Sequence, residues 1–315
     1  MSERMKILIG YDGSKCAEAA LQDLTRAGLP VESDVVVMSV ADVFPPPQIK
    51  DEDAFPQNPP AAVRRAHEHA VKEIEDAHDL AQKAKDKLGR LFRHWEIRAE
   101  ACGDSPVWAL VKRAYKWKPD LIVVGAHGHS ALGGRLILGS VSLRVLYEAG
   151  TTVRVARGRV GVDDVPVRII VGMDGSTNSQ AALNAVAKRS WPKGSEVRLI
   201  TALDTVLCLG AISEEEYKTI KWFDVSNEND LIYLRHSFES LAEKLRNTGL
   251  NVSVEFKKGD PKQILVDEAE SWKADSIFVG AKGTRGIERL MLGSVSAAVA
   301  ARAHCSVEVV RPKAS

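Results

Sequence analysis

KILIGYDGS at residues 6–14 returns as RIIVGMDGS at residues 168–176 without a gap. A second pair follows in the same order. WKPDLIVVGAHG at residues 117–128 matches WKADSIFVGAKG at residues 272–283, and each leads through a polar stretch into LGSVS, at 138–142 and 292–296. Two ordered matches with a common tail indicate duplication of one unit of about 150 residues. The halves are residues 1–157 and 166–315. The linker between them, residues 158–165, opens GRVGVDDVP, a short run rich in turn formers.

Each quoted stretch is a short apolar run that ends in glycine and a polar turn, the pattern of a buried strand. Around them each half alternates strand and helix. Strands are predicted at 6–10, 35–40, 95–100, 121–126 and 151–156, then at 168–172, 196–202, 251–256, 276–280 and 305–310. Helices are predicted at 16–28, 61–91, 106–117 and 140–149. Apolar strands between helices form a parallel sheet covered on both faces, so each half is read as a doubly wound α/β unit. Ser105 before Pro106 and Asp260 before Pro261 are placed to start the third helix of each half. Ser213, with Glu216 three residues on, is a candidate start for the long helix of the second half. Residues 41–60 are proline-rich and acidic and are read as an irregular excursion; the matching 203–216 has no proline.

The 315 residues are 45% hydrophobic and 27% charged, with a formal net charge of +1. This composition gives no general electrostatic case for nucleic acid, and no apolar run is long enough for a membrane span. The start, MSERMKILIG, enters a strand at once without a secretory apolar segment, so the expected location is cytoplasmic. Cys16, Cys102, Cys208 and Cys305 form no CxxC pair and read as isolated thiols. His67, His69 and His78 lie in a stretch of mixed charge and read as a solvated helix face rather than a metal centre.

In an open parallel sheet, ligands bind beyond the carboxyl ends of the strands, where strand order reverses. Asp12 and Asp174 follow the first strand of each half, and Gly125 and Gly280 end the fourth. If those strands are neighbours, each aspartate can accept a ribose hydroxyl while the glycine loop and the next helix start hold phosphate. Ser140 and Ser294 sit at that helix start; Ser142 and Ser296 either add donors or face the first turn. An Asp-Gly after a strand is also a turn signature in its own right. Joint repetition of all the parts favours an anion or nucleotide crevice over turn chemistry alone. Neither a phosphate-loop motif nor a dinucleotide fingerprint is present.

These residues resemble the nucleotide-binding members of the universal stress protein family, whose motif is G-x2-G-x9-G-S/T. Gly280, Gly283, Gly293 and Ser294 fit that spacing; in the first half Gly125, Gly128, Gly139 and Ser140 fit it with one residue too many, around Gly133-Gly134. The resemblance covers nearly all of both halves. It implies two five-stranded parallel sheets in order 3-2-1-4-5. It also implies an intramolecular pseudo-dimer joined through the fifth strands, TTVRVA and CSVEVV. For the second half it implies a nucleotide site with Asp174, Ala202, Val279, Gly280, Gly283, Arg285, Gly293, Ser294, Val295 and Ser296. In the first half the matching residues are Asp12, Val40, Val124, Gly125, Gly128, His129, Gly139, Ser140, Val141 and Ser142. The implied ligand is ATP, with ADP or AMP as alternatives and Mg2+ arriving only with the nucleotide. The implied role is regulatory, in stress survival, with the protein partner unidentified and further pairing of whole chains allowed.

Two other function classes compete. A slow ATPase or phosphotransferase would use Lys282, Arg285 and His129 as helpers, but Lys282 aligns with His127 and Arg285 with Ser130, so the halves do not repeat them. Turnover far below the roughly 1–10³ per second of ordinary enzymes is expected. A nucleotide-free interaction module would use the three prolines Pro45, Pro46 and Pro47 as a docking segment.

Overall fold

The computed structural model describes residues 4–43, 60–127, 138–157, 165–203, 228–283 and 292–312. Residues 44–59, which include Pro45, Pro46 and Pro47, Gly133-Gly134, the linker residues 158–164, Cys208, Ser213 and Glu216 lie outside the described residues.

The first half runs β1 (Met5–Gly10), α1 (Lys15–Asp23), β2 (Ser33–Ala41), α2 (Ala61–Leu91), β3 (Glu96–Gly103), α3 (Pro106–Trp117), β4 (Leu121–Gly125), α4 (Ser140–Glu148) and β5 (Thr152–Ala156). The second repeats it as β6 (Arg168–Gly172), α5 (Thr177–Ala187), β7 (Glu196–Ala202), α6 (Glu228–Arg246), β8 (Asn251–Lys257), α7 (Pro261–Ser271), β9 (Ser276–Gly280), α8 (Ser294–Arg302) and β10 (Ser306–Val310). The strands form one ten-stranded sheet in order β3-β2-β1-β4-β5-β10-β9-β6-β7-β8. Each half is parallel and has the order 3-2-1-4-5. The two predicted sheets are continuous because β5 and β10 pair antiparallel, with Val155 opposite Val307, Arg154 opposite Glu308 and Val153 opposite Val309.

Strand alternation sends successive side chains of the junction to opposite faces. On one face Val153, Val155, Val307 and Val309 are fully buried. They join Leu146, Ile122, Ile277 and Val299 in a single hydrophobic cluster drawn from both halves. On the other face each half keeps its own cluster, one around Ile7, Leu21 and Val123 and one around Ile169, Leu183 and Phe278. Between those two clusters sit the charges of the junction. Arg154 and Glu308 are 1% and 0% exposed, and Arg154 Nε donates to Asp23 Oδ2 at 2.7 Å. Arg154 Nη1 lies 3.4 Å from Glu308 Oε2, and Arg189 closes the row on Glu308. Burial opposes the charge of Arg154, but Asp23 and Glu308 outweigh it and hold its pKa above the ordinary value.

Two local readings differ from the structure. The first helix is α-helical only to Asp23, after which Leu24–Arg26 tightens into a 3-10 turn. Ser105 holds the N-cap position of α3, but its hydroxyl makes no capping bond; its own N–H instead donates to Asp104 Oδ1 at 2.7 Å. Asp260 does cap α7, accepting from the N–H of Lys262.

Behind the α1 turn the halves touch through Gly28 and Trp191. Gly28 has φ +62°, and a Cβ there would lie 2.8 Å from the Trp191 ring, which Val186 fixes by accepting the indole N–H at 2.9 Å. Gly28→Ala is therefore expected to cost about 1–3 kcal/mol in chemical denaturation, from backbone strain and overpacking together. Gly150→Ala, where an added Cβ meets nothing within 4 Å, is the control and should stay near wild type.

Candidate functional site

β1 pairs with β2 on one side and β4 on the other, and β6 pairs likewise with β7 and β9. Strand order thus reverses beside the first strand of each half, and the chain leaves β1 and β4 toward the same edge of the sheet. Asp12 and Asp174 sit in the turns just past that edge. Asp12 Oδ1 accepts from the N–H of Ser14 and Asp174 Oδ1 from that of Ser176, both at 3.0 Å. Gly13 and Gly175 take the left-handed φ of +75° and +79° that these turns require. Ser14 and Ser176 then cap α1 and α5, accepting from Ala17 N–H and Ser179 N–H at 3.1 Å. Turn and cap chemistry therefore accounts for one carboxylate oxygen and the serine of each DGS.

The other oxygen meets the glycine loop. In the second half a Cβ on Gly283 would stand 2.7 Å from Asp174 Oδ2. Tertiary structure thus brings two distant motifs into contact at one edge. Gly280 lies against the first turn of α5, where a Cβ would meet the Asn178 carbonyl carbon at 2.6 Å. Its counterpart Gly125 is looser, with a Cβ 3.1 Å from the backbone of Cys16. Asp174 is half-buried and Asp12 exposed.

Both loops re-enter helix through glycine. Gly139 and Gly293 are the N-caps of α4 and α8, and their N–H groups donate to Ala126 and Ala281 carbonyls at 2.8 and 2.7 Å. A glycine cap offers no side-chain oxygen to the first-turn amides, which leaves the positive end of each helix open to an anion. Ser140 and Ser294 are exposed at the first helical position. Ser142 and Ser296 are buried, and their hydroxyls donate back to the strand ends, to Gly125 at 2.5 Å and Gly280 at 2.6 Å. Val124 and Val279 are buried; Val40, Ala202, Val141 and Val295 are half-buried. Gly128, His129 and Arg285 lie outside the described residues. Lys282 is half-buried beside Gly293, whose added Cβ would come 3.4 Å from the Lys282 Cα.

Two arginines outside the repeated motifs tie the halves together. Arg157 follows β5, and its Nη2 donates to the carbonyls of Ala300 and Ala301 in α8 of the other half, at 2.6 and 3.3 Å. Arg311 follows β10 and donates in the same way to the Leu146 carbonyl of α4, at 2.9 Å. Each helix with its start at a crevice is thus held near its C-terminal end by the opposite half. The available signal was an arginine directly after both fifth strands. Among the described residues no group of three or more histidines, cysteines or carboxylates is arranged to hold a metal. His67, His69 and His78 are exposed on α2. No helix among the described residues is long and apolar enough to cross a membrane.

The fold and crevices define a tandem of doubly wound α/β units closed edge to edge. The chain belongs to the universal stress protein family, whose sequence profile matches residues 3–157 and again residues 167–311. It is similar to a universal stress protein of Mycolicibacterium smegmatis, 27% identical across 98% of this chain and 97% of that protein. A universal stress protein of Mycobacterium tuberculosis is 29% identical over 72% of this chain and 73% of its own length. Among solved structures, a universal stress protein from Archaeoglobus fulgidus shares the fold with a TM-score of 0.59 at 22% identity, covering 97% and 98% of the two chains.

His127, at the mouth of the first crevice, has its pKa lowered by burial and secondarily by Arg157. A depressed histidine pKa contributes stability above the ordinary histidine range that is lost as pH falls through the folded-state value. Denaturation midpoints measured between about pH 8 and pH 5 should show a small decline on the acid side. The decline should flatten in His127→Gln.

Proposed function

We propose that the chain binds an adenine nucleotide, ATP first and ADP or AMP as alternatives, at the sheet reversal of its second half. The binding serves a regulatory rather than a dedicated catalytic role. One observation carries the reading: Asp174 Oδ2 and Gly283 converge beside a helix whose cap is glycine. The aspartate supplies an acceptor for ribose hydroxyls, and the α8 start supplies amides and the Ser294 hydroxyl for phosphate. Ala202 is the adenine-contacting position, the backbone at Val279 and Val295 completes the pocket, and Arg285 is a further site residue by sequence alone. Ser296 holds the Gly280 strand end in place. Mg2+ enters only as a companion of the phosphates. The protein works in the cytoplasm. Its relatives are named universal stress proteins, which supports a role in stress survival.

The first-half crevice has the same parts, Asp12, Val40, Val124, Gly125, Gly128, His129, Gly139, Ser140, Val141 and Ser142, but ten residues rather than nine separate its last two motif glycines. One displaced charge-assisted hydrogen bond weakens binding by about tenfold to a hundredfold, so the second half is the stronger site.

Titration calorimetry of nucleotide-stripped protein with ATP, ADP and AMP tests this. Asp174→Asn keeps the turn acceptor on Ser176 and should leave the melting temperature near wild type while weakening nucleotide at least about tenfold. Gly283→Val should remove the tight site, because its side chain fills the space beside Asp174. Asp12→Asn should change only a weaker site. Absence of any binding by wild type at millimolar nucleotide, or tight binding that survives in Gly283→Val and is lost in Asp12→Asn, overturns the reading.

A further inference from the structure

The β5–β10 pairing has a position that faces its own counterpart. The first residues of the two strands, Thr152 and Ser306, correspond in the duplication, as do Ser140 and Ser294 at the preceding helix starts. By the same count Val153 corresponds to Val307, yet it faces Val309, the counterpart of Val155. Arg154 corresponds to Glu308 and faces Glu308. The pseudo-twofold axis relating the halves therefore passes through this pair. The arginine clasps of Arg157 and Arg311 obey the axis, each half treating the other alike. The axis residues do not: the duplicated position holds a cation in one half and an anion in the other.

The flanking groups complete an alternating row. Asp23 belongs to the first half and Arg189 to the second, so the order across the junction is Asp23, Arg154, Glu308, Arg189. Ser306 Oγ also donates to Asp23 Oδ1 at 2.6 Å. Asp23 is 5% exposed, and the Arg189 side chain 6%. Two first halves placed edge to edge would set Arg154 against Arg154, and two second halves would set Glu308 against Glu308. At 0–1% exposure such a like pair lacks the solvent screening that makes surface repulsion tolerable. A buried ion pair contributes little net stability against an apolar substitute, but breaking one is costly, so its use is to select a partner.

We propose that Arg154 and Glu308 encode heterotypic pairing. The β5 edge accepts an antiparallel strand with a carboxylate at the axis position and rejects a copy of itself, and the β10 edge requires a cation in the same way. Sheet closure is thereby directed to the other half of the chain, and chains are kept from linking through like halves. The code also defines which separate unit of this fold could compete for either edge: one carrying the opposite charge at its axis residue.

The test uses full-length chains with charge reversals on the axis. Arg154→Glu alone sets two carboxylates together, and Glu308→Arg alone sets two guanidinium groups together. Each should melt about 10 °C or more below wild type. Co-expressed with different tags, the two should assemble into a 1:1 complex visible by native mass spectrometry. There the unaltered first half of one chain meets the unaltered second half of the other and restores the native row at one junction, while the second junction carries the reversed pair beside Asp23 and Arg189. Where a single reversal is insoluble alone, recovery of soluble 1:1 complex on co-expression supports the proposal, and continued insolubility counts against it. Single reversals that stay monomeric with wild-type melting, or a co-expression that yields no 1:1 complex, overturn it. As a second measure, Arg154→Met with Glu308→Met should lose less than the sum of the two single Met losses, because the axis contact is counted in both. A double variant whose loss is the sum of the two single losses also overturns the pairing role.

Discussion

Closure of the sheet between β5 and β10 is the constraint on which the remaining structure depends. A five-stranded parallel sheet ends in edges whose amides and carbonyls would otherwise recruit any available strand. Here the edge next to the fourth strand of each half is covered by its duplicate, running antiparallel. The two faces of that seam are built from different chemistry. One face is hydrocarbon and merges the halves into a common core. The other is a buried row of ions between two separate cores. Valine contacts supply non-directional adhesion, whereas the ion row is satisfied in one register only, because a slip of one strand by one residue would send its charged side chain into the valine layer and leave the other unpaired.

The seam also reaches the crevices. α4 and α8 start at the glycine caps and pass inward to carbonyls that Arg311 and Arg157 hold from the opposite half. A cation at a helix C-terminus complements the macrodipole, and these cations are largely buried. Burial pulls the pKa of both Arg157 and Arg311 below the ordinary value. An anion at the helix start and a guanidinium at its end act on the same dipole in the same sense. The helices that start at the glycine caps are consequently anchored by interdomain contacts rather than by their own short length of nine residues.

The duplicates have diverged where the scaffold tolerates it. In the first half Arg113 grips Glu100 with two hydrogen bonds of 2.6 and 2.7 Å and lies 5.3 Å from the Trp117 ring. In the second half the matching Trp272 is covered by Arg198 at 4.1 Å, while Glu268 is buried against Arg198 and Lys257. Each half thus stabilises the same strand–helix corner with a different cation. The crevices diverge as well, with Gly280 closer to its neighbouring helix than Gly125 and Asp174 less exposed than Asp12.

Strand and helix identity, the duplication and the glycine positions were legible in the sequence because they are local: apolar runs of strand length, helical periodicity, and glycines after strands. The long helix at 61–91 and strands such as 168–172 and 196–202 stand where the pattern put them. The resemblance to a known family supplied strand order and edge pairing, which no periodicity encodes. The Ser105 cap and the last turn of the first helix were misread because neighbouring groups compete for the same backbone amides, and the outcome depends on side-chain direction. What only the tertiary structure decided is which groups meet. It set Asp174 Oδ2 against Gly283, drew Ser142 and Ser296 back onto strand ends, and placed Arg154 opposite Glu308, two charges that the sequence shows only in separate, distant strands. The physical reason is that a contact between residues distant in sequence is fixed by sheet register and symmetry, and those exist only once the edges have closed.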